Sequence, residues 1–257
     1  MLSQYAAIPV RERNAILVAL LGLSAAAWAL MIWQNTTVMT SAPMGLTLGM
    51  GAALFLAIWI VMMVAMMFPS AAPMVLMFAA VSAGKRRQGQ ASTPTWVFVS
   101  GYLLIWVAFG GLAYLLALGG DQLAARSMWL MDNAPRIGGV ALVAAGAYQL
   151  SPLKRVCLSA CRTPIQFLLT SWRDGSRGAL RMGVEHGLFC LGCCWWLMLI
   201  LFPLGLMNVA ALGSVAALIF VEKCLPIGRS ASRVAAGALM LYGAVIIINP
   251  AALPTML

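Results

Sequence analysis

One histidine and three cysteines stand within nine positions: His186, Cys190, Cys193 and Cys194. With Met198 they recur at i, i+4, i+7 or i+8, and i+12. On a helix of about 3.6 residues per turn, that spacing lines one face with nitrogen and sulfur. Imidazole, thiolate and thioether are borderline or soft ligands. They suit Cu(I), and Zn(II) where thiolates dominate. Cys190-Leu191-Gly192-Cys193 lets two sulfurs reach one ion, and the same spacing suits a redox dithiol. A lone membrane cysteine is commonly a small apolar core residue. Core packing alone, however, calls for neither a histidine nor a Cys-x-x-Cys. The stripe points to a metal site, with copper as first candidate and zinc as second.

Further ligand types lie elsewhere in the chain. Trp59, Met62, Met63, Met66, Met67, Met74 and Met77 recur at helical spacing around Pro69-Ser70-Ala71-Ala72-Pro73. Met63, Met66 and Met67 are the thioether candidates for Cu(I), although methionine is also a flexible core filler. Pro73 leaves the carbonyl of Pro69 without its helical donor and so exposes backbone polarity inside an apolar run. Glu222 and Glu185 are carboxylates at helix ends within apolar surroundings, where such groups are paired or functional. Glu185 has Arg181 four residues earlier as an ion-pair partner, and Glu222 has Lys223 or another basic neighbour. Cys157 and Cys161, at i and i+4, share a helix face in a basic segment and are expected as free thiols in a reducing compartment.

The elements that carry these residues must be membrane helices. The chain has 257 residues, of which 63% are hydrophobic and 9% charged, against about 25% charged in a soluble domain. The fold class is all-α, a polytopic transmembrane bundle of about seven spans, forming one integral membrane domain over residues 1–257. The net charge of +10 reads as membrane topology rather than nucleic-acid binding, because the basic residues cluster between apolar runs.

The first span is placed at Ala15 to Trp33 and is followed by a polar loop from Gln34 to Pro43. The second, Leu46 to Gly84, is read as a single crossing kinked at Pro69 and Pro73. The third to seventh run from Trp96 to Leu118, Ile137 to Leu150, Gly183 to Met207, Val209 to Val221 and Val234 to Ile248. With a cytoplasmic N-terminus, fourteen of the sixteen basic residues fall on the inner side, and only Arg126 and Arg136 fall outside. Gly183 and Gly187 predict a close approach between helices.

Three stretches resemble one known family. Ala65-Met66-Met67-Phe68-Pro69-Ser70-Ala71-Ala72-Pro73 resembles its Ala-Met-Met-x-Pro-Ser-Ala-x-Pro signature. Tyr148-Gln149-Leu150-Ser151-Pro152-Leu153-Lys154, with Cys157, Cys161 and Arg162, is similar to its second signature. Glu185-His186-Gly187, Cys190-Leu191-Gly192-Cys193-Cys194-Trp195, Met207-Asn208 and Glu222-Lys223 are similar to its third. The family is that of bacterial predicted metal-binding integral membrane proteins, a domain of unknown function. The resemblance implies a metal-related role and specifies no activity.

The sequence thus predicts a multi-pass protein of the bacterial inner membrane that binds metal, copper first, and handles or delivers it. Its partners are the lipid bilayer, the metal ion and a periplasmic or membrane protein that exchanges cargo with it; nucleic acid is not among them. The rival functions are a copper-dependent membrane oxidase or oxygenase and a thiol-disulfide redox protein using Cys190 and Cys193. The proposed ligands are His186, Cys190, Cys193, Cys194, Met198, Met63, Met66, Met67, Glu185 and Glu222.

Overall fold

The computed structural model describes residues 8–37, 45–90 and 92–253. All regular structure among them is helical: α1 Val10–Thr37, α2 Ala52–Arg87, α3 Thr95–Arg126, α4 Met128–Gln149, α5 Pro152–Arg162, α6 Pro164–Ser171, α7 Gly175–Leu199, α8 Leu201–Leu204, α9 Val209–Cys224 and α10 Gly228–Ile248. The first helix runs past Trp33 into the expected polar loop, and positions 38 to 43 of that loop lie outside the described residues. Runs rich in Ala, Leu and Met favour helix, and a helix satisfies its own backbone in an apolar setting. Side-chain caps set several starts. Ser151 accepts from the Lys154 amide with Pro152 at the first helical position, and Asn208 accepts from the amides of Ala210 and Ala211. Gly205, at φ 91°, supplies the left-handed turn between α8 and α9.

The second apolar stretch is one helix of 36 residues that continues through both prolines. Pro69 has no amide to give to the carbonyl of Ala65. That carbonyl is instead bonded from α1, by Ser24 Oγ at 2.8 Å and Trp28 Nε1 at 3.1 Å. The freed carbonyl with outside donors is therefore one turn earlier than the one the sequence singled out.

The passes alternate in direction. The ion pair Glu12–Arg86 places the start of α1 beside the end of α2. Trp59 donates to the Trp106 carbonyl at 3.1 Å, and Phe78 stacks on Phe98, so α2 and α3 are antiparallel. α3 and α7 run parallel, with Phe98 against Gly183 and Ile105 against Gly187. Three helices in series, α4, α5 and α6, return along α7. Gly138 lies by Pro203 and Cys157 by Gly192, and Phe167 meets His186. α9 then descends to bring Lys223 to Cys190, and α10 climbs back along α4, with Gly146 against Ala236 and Gly139 against Gly243.

Five helices are long and apolar enough to cross a membrane: Val10–Thr36, Ala52–Arg87, Thr95–Arg126, Gly175–Leu204 and Gly228–Ile248. The sequence led to about seven spans. The two passes outside this set are α9, which has only 16 residues, and α4, whose first turns carry Asp132, Asn133, Pro135 and Arg136. At the basic end of the bundle, Asp174 pairs with Lys85 at 2.5 Å and accepts from Trp172 Nε1 at 2.9 Å. The hydrogen bond from Lys85, reinforced by Trp172, holds the Asp174 carboxyl below the usual carboxylate range.

Candidate metal centre

The Cys/His stripe lies on α7, and α3 approaches it at backbone contact distance. A methyl group at Gly183 would strike the Phe98 carbonyl. One at Gly101 would strike the Leu180 carbonyl, and one at Gly187 would press on Ile105. These glycines bring the Tyr102 hydroxyl to 3.1 Å from Cys190 Sγ. The Tyr102 ring stacks on His186 at 5.6 Å, Phe98 stacks on it at 6.0 Å, and Phe167 meets it edge-on at 5.5 Å. His186 is 3% exposed, and its Nδ1 has no hydrogen-bond partner among the described residues.

Cys190 is where four elements meet. Besides Tyr102 from α3, its sulfur takes Lys223 Nζ from α9 at 2.9 Å. The same ammonium lies 3.9 Å from Met67 Sδ of α2. From α5, Cys161 packs against the core that holds Cys190 and Cys193. Cys157 also faces this helix: a methyl group at Gly192 would sit 2.6 Å from its sulfur. The shared face predicted for Cys157 and Cys161 is present, and it is turned onto the α7 motif rather than to solvent.

The sulfurs are close but do not converge. Cys193 and Cys194 donate to the Cys190 carbonyl, at 3.1 and 2.8 Å. Back-bonding to the preceding turn points each thiol along its own helix. Among the described residues no three His, Cys, Asp or Glu side chains surround one point as metal ligands. Two sulfurs would suffice for Cu(I), and a χ1 rotation of Cys193 between staggered wells would turn its thiol out of this bond.

The remaining expected ligands divide by location. Met63, Met66 and Met198 are buried in the same apolar core as the cysteines, and Met67 is the methionine that reaches the Lys223–Cys190 contact. Glu185 sits at the basic end, paired with Arg181 and Arg173 at 3.2 Å each. Glu222 is buried, and its carboxylate is engaged by groups other than the sulfurs. It pairs with Lys154 at 2.7 Å and accepts from Ser232 Oγ at 2.9 Å. Lys154 also donates to Gln149. Arg162 donates to the carbonyls of Glu222, at 2.5 Å, and Leu225, at 2.9 Å.

Sequence reasoning missed Lys223, Lys154 and Tyr102 as parts of the site. Both lysines were assigned to inner loops and flanks, yet they are 8% and 1% exposed. The available signal was their place inside the motifs Glu222-Lys223 and Ser151-Pro152-Leu153-Lys154.

The class is an all-helical, apolar bundle folded around a cluster of cysteines and a buried ammonium. Residues 56–246, from inside α2 almost to the end of α10, match the family PpoB2, described as copper chaperone, and the chain belongs to that family. No curated protein and no solved structure matches the chain.

Proposed function

We propose that the protein is a multi-pass protein of the bacterial inner membrane that takes Cu(I) on Cys190 and a neighbouring sulfur and passes it to a partner protein. The family supports a copper-handling role. The observation that carries the site is the convergence on Cys190 Sγ of Tyr102 and Lys223 from two other elements, with Cys157 and Cys161 of α5 packed against the same core. A cysteine kept only for packing needs no such set of polar neighbours. Soft sulfur donors suit Cu(I), which is the cargo here. Cys193 is the nearest second ligand on the same helix, Cys161 brings cargo in from α5, and Met67 adds a thioether. His186, one turn before Cys190 with a free ring nitrogen, is the ligand at the next step along α7. Cys194 and Met198 continue the stripe, and Met63 and Met66 continue the thioether face. Glu222 and Glu185 flank the site and keep nearby cations in place.

In the membrane, α4 with α5 and α6 forms one broken crossing and α9 a short one, which gives seven crossings and a cytoplasmic N-terminus. α2 bends where Pro69 and Pro73 interrupt its hydrogen bonds. Seven residues of α3, about 10 Å of helix, separate Tyr102 from the basic end. The site is thus near the inner face, within reach of a cytoplasmic copper donor.

Metal content and Cu(I) affinity of the detergent-purified protein test this reading. Wild type should hold about one Cu(I) per chain, and Cys190→Ser should lose it while eluting as the same folded species. His186→Ala should bind Cu(I) but hand it over more slowly to a soluble acceptor. Metal-free protein that forms a reversible Cys190–Cys193 disulfide would replace this function with a dithiol redox one.

A further inference from the structure

Lys223 is a buried cation with sulfur neighbours. Its Nζ lies 2.9 Å from Cys190 Sγ and 3.9 Å from Met67 Sδ. Among the described residues no carboxylate pairs with it. Glu222, next to it in sequence, is paired instead with Lys154. Successive helix residues project about 100° apart, so the last turn of α9 serves two separate polar centres. An ammonium without a carboxylate in an apolar interior places an uncompensated positive charge beside the sulfurs.

We infer that Lys223 sets the charge of the sulfur centre, so that it accepts a soft monovalent cation and rejects a divalent one. This inference rests on the copper reading above and names its specificity determinant. When Cu(I) binds, Cys190 and a second cysteine, Cys193 or Cys161, become thiolate ligands and the thiol protons go to solvent. Two thiolates, one ammonium and one monovalent metal ion sum to zero. Zn(II) on the same ligands leaves one uncompensated positive charge in the bundle, where low polarity makes it costly. Sulfur ligands alone would not exclude Zn(II), since thiolate-rich sites bind it well. The charge of Lys223 provides the discrimination that ligand softness does not.

Pairs of soft probes that differ in charge test this directly. Full-length protein in detergent is titrated with Cu(I) and Ag(I), and separately with Cd(II) and Zn(II), each against a competing chelator. Wild type should prefer the monovalent ions. Lys223→Leu, which removes the charge without adding a ligand, should admit Cd(II) and Zn(II) and lower the Ag(I)-to-Cd(II) affinity ratio by roughly 100-fold. Lys223→Arg should keep the wild-type ratio. Lys223→Gln, read in parallel, supplies the neutral comparison if the leucine variant does not fold. A ratio unchanged in the neutral variants overturns the inference while the copper site, lost in Cys190→Ser, stands. Failure of wild type to bind either monovalent ion overturns both.

Discussion

At the scale of single residues, Pro69 shows how a local defect is absorbed. The proline deletes one donor from α2, and two side chains of α1 bond the carbonyl left behind. A hydrogen bond to a buried group contributes about 1 kcal/mol net. Ser24→Ala and Trp28→Phe should each lower stability by about that amount, and together by more, because the second loss orphans the carbonyl. Pro69→Ala restores the helical amide, so Ser24→Ala should cost less in that background. Thermal unfolding in detergent measures this cycle, and equal costs in both backgrounds would show that the proline is not the reason for the donors. The sulfurs and His186 were legible in the sequence because their spacing matches a helix face. Tyr102 was not, because its place beside Cys190 depends on the glycine contact between α3 and α7, which no spacing within α3 reveals.

At the scale of elements, α5 departs most from the sequence-based expectation. Pro152–Arg162 is short and rich in basic residues, which reads as an inner loop. The structure lays it against the middle of α7, with Lys154 buried. Hydropathy along the chain cannot show this, because the compensating carboxylate, Glu222, is 68 residues away. This pair joins α5 to α9, and Ser232 adds α10. Breaking a buried ion pair leaves an unpaired charge and costs about 3–5 kcal/mol, whereas replacing both partners with apolar groups is close to neutral. Lys154→Met and Glu222→Gln should therefore each be strongly destabilising, and Lys154→Met with Glu222→Leu should recover most of the loss. Chemical denaturation would show it, and additive losses in the double variant would count against the pair as the clamp. If the double variant folds yet no longer hands over copper, Glu222 has a role in transfer as well. The all-helical, apolar character was legible, whereas the broken return of α4, α5 and α6 became visible only from their neighbours on α7.

At the scale of the molecule, polarity separates the two ends. Lys85, Arg86, Arg173 and Arg181 gather at one, with Glu12, Asp174 and Glu185 as partners. Asp121 bonds the amides of Leu46 and Thr47 at the other. Between them, Val18, Leu115 and Leu241 are exposed, and a wide apolar flank of this kind suits lipid. Gln88→Cys at the basic end should react with an impermeant maleimide only after the cells are opened, and Gln122→Cys at the other end in intact cells. The reverse pattern would invert the orientation. The Lys85–Asp174 tie also has a pH signature. Its carboxyl is held low in the folded protein, so the stabilisation is present above the ordinary carboxylate range and is lost as pH falls below about 4. Asp174→Asn should flatten that part of the stability profile.

The contact between α1 and α2 bears on where this protein can be divided. The stretch recognised by similarity starts inside α2, after α1 has ended. Yet α1 supplies the donors that close the gap at Ala65. A chain trimmed to the recognised stretch would begin its folding life with an open carbonyl facing hydrocarbon. The boundary drawn by resemblance and the boundary drawn by hydrogen bonding differ here by one helix, and expression work should follow the second.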